Sequence, residues 1–87
     1  MGRVVVHRRA AKYVKSLPNP LQKRIKAALS QLSEAPLDYP GVIRMAGDWS
    51  GYYRIRMGAI RIIFWLDENE DIIYIDHIGS RGDVYKQ

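Results

Sequence analysis

Three runs of alternating apolar side chains in the second half of the chain restrict its fold more than any other feature. The runs cover residues 52–57, 60–66 and 72–79, and the gaps between them contain Gly58 and the acidic segment DENED at 67–71. Alternation with period 2 indicates β-strands. Strands joined by turns this short pair antiparallel, so the sequence predicts an antiparallel meander in its second half.

Two amphipathic helices are predicted before these strands. The segment RRAAKYVKSL, residues 8–17, has one apolar face and ends at Pro18. A second helix follows, with Asn19 as its predicted N-cap and Pro20 in its first turn. Its apolar stripe consists of Leu21, Ile25, Ala28, Leu29 and Leu32.

The remaining segments complete one domain that spans residues 1–87. RVVVH predicts a short first strand, EAPLDYPG a loop, and VIRMAGDW a strand that ends near Gly47. The order of elements is therefore β-α-α-β-β-β-β. Two such helices bury their apolar faces most economically on one face of a sheet. We predict an α+β fold with both helices on one face of a mainly antiparallel sheet.

The composition limits the chemistry that the chain can use. There is no cysteine and there are only two histidines, so we predict no disulfide, no metal site and no other cofactor. The apolar start VVV is too short for a signal peptide, and no apolar run approaches the roughly 18 residues of a membrane span. We therefore expect a cytoplasmic protein without membrane association.

The charge of the chain is positive and unevenly distributed. Fourteen lysines and arginines against nine acidic residues give a net charge of +5. Residues 1–33 contain eight basic residues and no acidic one, whereas four of the nine acidic residues lie at 67–71. The rest of the surface is correspondingly basic, and such a surface attracts polyanions or an acidic protein partner.

Three arginines are predicted to share the face of the sheet that the helices leave uncovered. Arg54 and Arg56 lie on one face of the first of the three runs, and Arg61 shares a face of the next run with Ile63 and Trp65. A row of cations along one sheet face is therefore expected.

The order of the elements, the segment DWSGYYRIRMGAIRIIFWL and the ending IDHIGSRGDVYK resemble the RelE branch of the RelE/ParE toxin superfamily. These proteins are the toxin halves of prokaryotic toxin–antitoxin pairs, and the resemblance covers nearly the whole chain. It implies an endoribonuclease that enters the ribosomal A site and cuts messenger RNA there, which inhibits translation. It also implies a cognate RelB-like antitoxin that masks the toxin.

The resemblance assigns roles to individual residues. Arg54 and Arg56 match the basic residues on the family's third strand, which are lysines in the best-known relatives. Arg61 matches the arginine of the next strand, Arg81 the arginine after the final strand, and Tyr85 the C-terminal tyrosine. We predict that Arg56, Arg61, Arg81 and Tyr85 are catalytic, and that Arg54 and Arg56 bind RNA.

Metal-independent cleavage of RNA needs such a group of cations. The neighbouring 2′-hydroxyl attacks the phosphate, and the reaction requires a base, an acid, and positive charge beside the phosphoryl oxygens. Arginine supplies that charge because its guanidinium binds phosphate bidentately and stays protonated. It is a poor proton acceptor for the same reason. The base is left open between Tyr85 and a group from the ribosome or the RNA itself.

The aromatic residues of the strands have two interpretations. Tyr52 and Trp65 are predicted to stack on RNA bases, although aromatic side chains in strands more often serve packing. Trp49 and Tyr53 are predicted to lie in the core.

The two histidines are predicted to be structural. His7, between the first strand and the first helix, is expected to be a cap or a surface residue. His77 would solve the acid–base problem, but successive strand residues point to opposite faces. Asp76 and His77 can therefore form a pair only if the strand bends there. Asp83 is close enough in sequence to Arg81 to orient it.

Two other functions are compatible with the sequence. ParE-like members of the superfamily share the fold but inhibit DNA gyrase by binding, and they generally lack the full basic set with the terminal tyrosine. A basic module that binds RNA without cutting it is the other alternative. Its affinity would depend on salt, and the RNA would stay intact.

Overall fold

The helices and strands follow one another in the predicted order in the computed structural model, which describes residues 2–80. The first half contains β1 Arg3–Val6, α1 Arg8–Lys15 and α2 Asn19–Glu34. The second half contains β2 Ile43–Arg44, β3 Tyr53–Met57, β4 Ile60–Asp67 and β5 Ile72–Ser80. Neither helix of this described part has the length and apolarity that crossing a membrane requires.

The residues His7 and Pro18 determine where the two helices begin. The Nδ1 atom of His7 accepts a hydrogen bond from the backbone N–H of Arg9 at 3.1 Å, so His7 caps α1 as predicted. In α2 the N-cap is Pro18, and Asn19 is already the first helical residue. The N-cap prediction for Asn19 is therefore wrong. Pro20 fits in the first turn because backbone N–H groups there have no partner within the helix.

The five strands form one sheet in the order β1-β5-β4-β3-β2. Strands β2 to β5 pair antiparallel with their chain neighbours, as predicted, and β1 pairs in parallel with β5. The predicted strand from residue 42 to about Gly47 is much shorter in the structure, because a 3₁₀-helix at Gly47–Trp49 follows β2. Gly47 has a φ of +67°, a left-handed conformation that interrupts a strand and that glycine adopts easily.

Both helices pack on the same face of the sheet, which confirms the predicted α+β architecture. The core contains Ala10, Val14, Ile25 and Leu32 from the helices and Ile55, Ile62, Phe64, Ile73, Ile75 and Ile78 from the strands. Ile62 and Phe64 alternate along β4 with Arg61 and Ile63, so Arg61 and Ile63 point to the opposite face. We call this opposite side, which α1 and α2 do not cover, the open face.

One extra residue interrupts the regular pairing of β5 with β4. Ile63 pairs with His77 but Phe64 pairs with Ile75, so Asp76 has no counterpart on β4. Such a β-bulge reverses the facing of every residue that follows it. As a result Ile75 and Ile78 both point into the core although they are three residues apart, and His77 points to the open face beside Ile63.

The replacement Ile62→Val tests the position of the core. Ile62 is fully buried, so loss of one methylene group should lower the free energy of unfolding by about 0.5–1.5 kcal/mol. Ile43→Val makes the same chemical change at a side chain that is 50% exposed, and it should change stability by less than about 0.5 kcal/mol. Urea denaturation measures both values. Equal losses in the two variants would contradict the described core.

Candidate nucleic-acid interface

Three arginines lie together on the open face. In the register of β3 and β4, Arg56 lies directly opposite Arg61, and Arg54 lies opposite Ile63. Residues that pair in this way point to the same face, with Cβ atoms about 4.5–5.5 Å apart. The hairpin therefore brings three guanidinium groups side by side. We call Arg54, Arg56 and Arg61 the arginine row.

The three members of the arginine row differ in exposure. Arg61 is only 5% exposed, Arg54 is half-buried and Arg56 is exposed. The Nε atoms of Arg54 and Arg61 are both shielded from water. Like charges directly opposite each other destabilise a strand pair, and removal of a charge from water adds to the cost. Arg56 is the exposed member of the row, and a guanidinium binds phosphate bidentately, so this hairpin is a candidate phosphate site.

The other half of the open face is aromatic and aliphatic. Trp65 pairs with Tyr74 across β4 and β5, and their rings stack with centroids 4.4 Å apart and planes at 15°. Trp65 is half-buried and lies four residues beyond Arg61, about 13 Å along the strand. Val5 on β1 pairs with Tyr74 and is 37% exposed. The open face thus combines phosphate-binding groups with an aromatic surface.

Of the remaining aromatic residues, Trp49 does not lie where it was predicted. Tyr53 stacks on Phe64 in the core as predicted, with ring centroids 5.5 Å apart. Trp49 is half-exposed and lies outside the core, so its prediction is wrong. The 3₁₀-helix turns its indole edge-on to Tyr52, at 5.1 Å, and to His77, at 5.6 Å. Tyr52 is half-buried and contacts Trp49.

Strand β5 contains the bend that a contact between the side chains of Asp76 and His77 requires. The β-bulge at Asp76 brings its Oδ2 atom to 3.6 Å from Nε2 of His77, and the two side chains are 31% and 27% exposed. Alternation alone does not predict this pair. The sequence does contain a signal for it, because Ile75 and Ile78 are three residues apart and cannot both face the core of a regular strand.

Comparison with known proteins identifies the family once this geometry is described. The family model described as "ParE toxin of type II toxin-antitoxin system, parDE" matches residues 4–85. The chain belongs to this toxin family. It is a member of the RelE/ParE superfamily, and its fold is that of the RelE-like branch, so the resemblance found in the sequence is confirmed. Among proteins with curated descriptions, no sequence matches the chain significantly.

Several solved structures have the same fold as the toxin. A chain of the archaeal RelE–RelB complex from Pyrococcus horikoshii OT3 is 28% identical and superposes with a TM-score of 0.81, over 94% of this chain and 97% of that one. The E. coli RelBE toxin–antitoxin complex matches at 16% identity and a TM-score of 0.76, over 93% and 98% of the two chains. The heterotetrameric YoeB–YefM complex of Staphylococcus aureus matches at 20% identity and 0.74, over 93% and 98%.

Part of the predicted site lies beyond the described region of the toxin. Arg81, Asp83 and Tyr85 fall outside residues 2–80, so the structure does not test their predicted positions. Within residues 2–80, no group of three or more histidine or acidic side chains is arranged to hold a metal ion.

Five acidic residues of the toxin line a cavity away from the arginine row. A cavity of about 530 Å³ lies where β4 ends and β5 begins, with Leu66 and Ile73 in its wall. Its acidic lining residues are Glu34, Asp38, Asp67, Glu68 and Asp71. This cavity repels phosphate, whereas the arginine row at the other end of β4 attracts it. The two ends of one strand therefore differ in electrostatic potential.

Inorganic phosphate should stabilise the toxin through the arginine row. Binding to the folded state alone adds about 1.4 kcal/mol at a phosphate concentration ten times the dissociation constant, and thermal denaturation at constant ionic strength measures it as a rise in Tm. Arg56→Ala should lose most of this rise. Arg24→Ala removes another exposed arginine, from α2, and should keep the rise in Tm. Equal responses of the two variants would argue against a phosphate site on the open face.

Proposed function

We propose that the toxin is a ribosome-dependent endoribonuclease that cuts messenger RNA in the ribosomal A site and thereby inhibits translation. The observation that carries the proposal is the direct opposition of Arg56 and Arg61 on the open face, with Arg54 one pair further along β3. Such a row follows the backbone of an extended RNA strand. The row also supplies positive charge for the phosphoryl oxygens, on which negative charge grows in the transition state.

The reaction needs alignment and charge stabilisation more than it needs a special nucleophile. The 2′-hydroxyl attacks the adjacent phosphate in line and gives a 2′,3′-cyclic phosphate and a free 5′-hydroxyl. Guanidinium groups stabilise the charge that grows on the phosphoryl oxygens. Fixing the attacking oxygen and the phosphorus in line can supply up to about 7–11 kcal/mol. No metal ion is required on this route.

Each member of the site has a proposed role. Arg61 and Arg81 hold the scissile phosphate and stabilise its transition state. Arg54 and Arg56 bind the neighbouring backbone and lower the barrier. Tyr85 stacks on a base or moves a proton. The roles of Arg81 and Tyr85 are carried over from the family resemblance.

Aromatic side chains on both sides of the arginine row are proposed to hold the bases. The stacked pair of Trp65 and Tyr74 offers ring surface on β4 and β5, and Tyr52 lies just before β3 on the other side. Stacking on an aromatic ring contributes about 1–3 kcal/mol per base and tolerates any base. These contacts would position the strand without choosing its sequence.

The proposed partner in the resting state is a cognate RelB-like antitoxin. The similar structures from Pyrococcus horikoshii and E. coli are RelE–RelB and RelBE complexes, which supports a partner of this type. An acidic or amphipathic antitoxin segment would be attracted to a toxin of net charge +5. A toxin with this target and this partner would act in the cytoplasm, which is the localisation that we propose.

A second candidate function is inhibition of DNA gyrase by binding. It is favoured by one observation, the match of the family model to ParE toxins over residues 4–85. The arginine row favours the nuclease, because a binding inhibitor has no need of cations clustered for phosphoryl transfer. A supercoiling assay with purified gyrase separates the two candidates, since the nuclease should leave supercoiling unchanged.

Primer extension on a defined messenger, with and without programmed ribosomes, tests the nuclease. We expect cuts within codons only when ribosomes are present. Arg56→Ala and Arg81→Ala should each slow cleavage by about 10²–10³-fold, the usual cost of removing one charge-stabilising group. Arg24→Ala is the matched control on α2 and should cleave at the wild-type rate.

Primer extension, the supercoiling assay and a measurement of RNA binding together separate three functions. Intact messenger in every lane, with a folded protein, would reject the nuclease. Inhibited supercoiling would then identify a ParE-like toxin. Salt-dependent RNA binding without cleavage would identify a non-catalytic RNA-binding module.

A further inference from the structure

The arginine row contains no side chain that can accept a proton. A guanidinium group carries no acceptor for a proton, so the arginine row cannot take the proton of a 2′-hydroxyl. Histidine is the side chain whose ordinary chemistry exchanges a proton near neutral pH. Within residues 2–80 there are two, and His7 is committed to capping α1. His77 is on the open face.

His77 lies next to the arginine row in the sheet. It pairs with Ile63, which in turn pairs with Arg54. Arg61 is its diagonal neighbour on β4, because Arg61 pairs with Gly79 two residues further along β5. Diagonal neighbours across antiparallel strands lie roughly 7–8 Å apart. A phosphate held by Arg56 and Arg61 therefore lies within one nucleotide's reach of the imidazole.

Two contacts orient the imidazole of His77. The indole of Trp49 meets the ring edge-on at 5.6 Å and 77°. Oδ2 of Asp76 lies 3.6 Å from Nε2, a distance longer than a hydrogen bond. A carboxylate in this place favours one orientation of the ring. The contact at Nε2 leaves Nδ1 as the nitrogen for an incoming hydroxyl.

The β-bulge is the reason that His77 can take part. In a regular strand His77 would share the face of Ile73 and Ile75, which lie in the core. The extra residue Asp76 turns His77 to the open face and at the same time supplies its carboxylate. Bulges commonly re-aim a side chain beside an active site. One irregularity thus provides both members of the pair.

We propose that His77 is the general base of RNA cleavage and that Asp76 is its positioning residue; this inference rests on the proposed nuclease function. Nδ1 of His77 takes the proton of the 2′-hydroxyl while the bond from the 2′ oxygen to phosphorus forms. The bond from phosphorus to the 5′ oxygen breaks, and that oxygen takes a proton from water. The imidazolium then returns its proton to solvent, so no proton or electron is left unbalanced.

The charged groups around His77 determine how the test is designed. They are Asp76 on its own strand, Arg61 on the neighbouring strand β4, Arg54 on β3 beyond it, and Asp48 in the 3₁₀-helix that carries Trp49. His7 follows β1, the strand on the other side of β5. A substitution at His7 is therefore the control for a substitution at His77, and the cleavage rates of both variants are measured in the full toxin.

Single-turnover cleavage of a messenger on programmed ribosomes, measured from pH 5.5 to 8, tests the proposal. The wild-type rate should rise with pH as a histidine base loses its proton. His77→Gln should be slower by about 10²–10⁴-fold and nearly independent of pH. His7→Asn, which keeps an N-cap acceptor, should match the wild type at every pH. Asp76→Asn should lose less than His77→Gln and keep the rise, because the histidine remains.

A messenger with sulfur in place of the leaving 5′ oxygen separates base from acid. Thiolate leaves without a proton, so loss of a general acid is rescued on this substrate and loss of a general base is not. His77→Gln should stay slow on it. Rescue of His77→Gln would overturn the assignment of His77 as the base.

The remaining outcomes are distinct from failure of the proposed function. No cleavage by the wild type would reject the nuclease itself. Wild-type cleavage with an equally fast and pH-dependent His77→Gln variant would overturn only the role of His77. Phosphate-induced stabilisation, measured as above, should be retained by His77→Gln, which shows that the variant is folded and keeps its arginine row.

Discussion

The burial of both faces of β4 is the constraint on which the rest of the protein depends. Five consecutive residues, Ile60 to Phe64, are buried, and the strand hydrogen-bonds along both edges, to β3 and to β5. One face supplies the core with Ile62 and Phe64, and the other carries Arg61 and Ile63. The same strand therefore fixes the helices and the candidate site, so a residue that shifts β4 affects stability and function together.

The site is built at a cost to the sheet that holds it. Arg56 and Arg61 repel each other across the β3–β4 pair, and a β-bulge interrupts the β4–β5 pair at Asp76. Local departures of this kind are expected where function, rather than stability, determines the residue type. The isoleucine-rich core beneath offsets them.

Much of the fold could be predicted because it depends on local patterns. Alternation and short turns predict β3, β4 and β5, helical spacing predicts α1 and α2, and both patterns together predict the face on which Arg54, Arg56 and Arg61 lie. The parallel pairing of β1 with β5 joins distant segments and leaves no local trace. The prediction for Trp49 was wrong because the left-handed backbone of Gly47 changes the direction of the chain. The contact of His77 with Asp76 was not predicted because the extra residue Asp76 reverses the alternation of β5.

The parallel pairing of the first strand with the last has a consequence for synthesis. Arg3 pairs with Ile72, and ribosomes add the intervening 70 or so residues in roughly 4–14 s at 5–20 residues per second. Until β5 emerges, β1 has no partner in the sheet and β4 has one unpaired edge. The nascent chain consequently has neither its finished sheet nor the histidine beside its arginine row. The sheet that carries the arginine row is therefore complete only after nearly the whole chain has been synthesised.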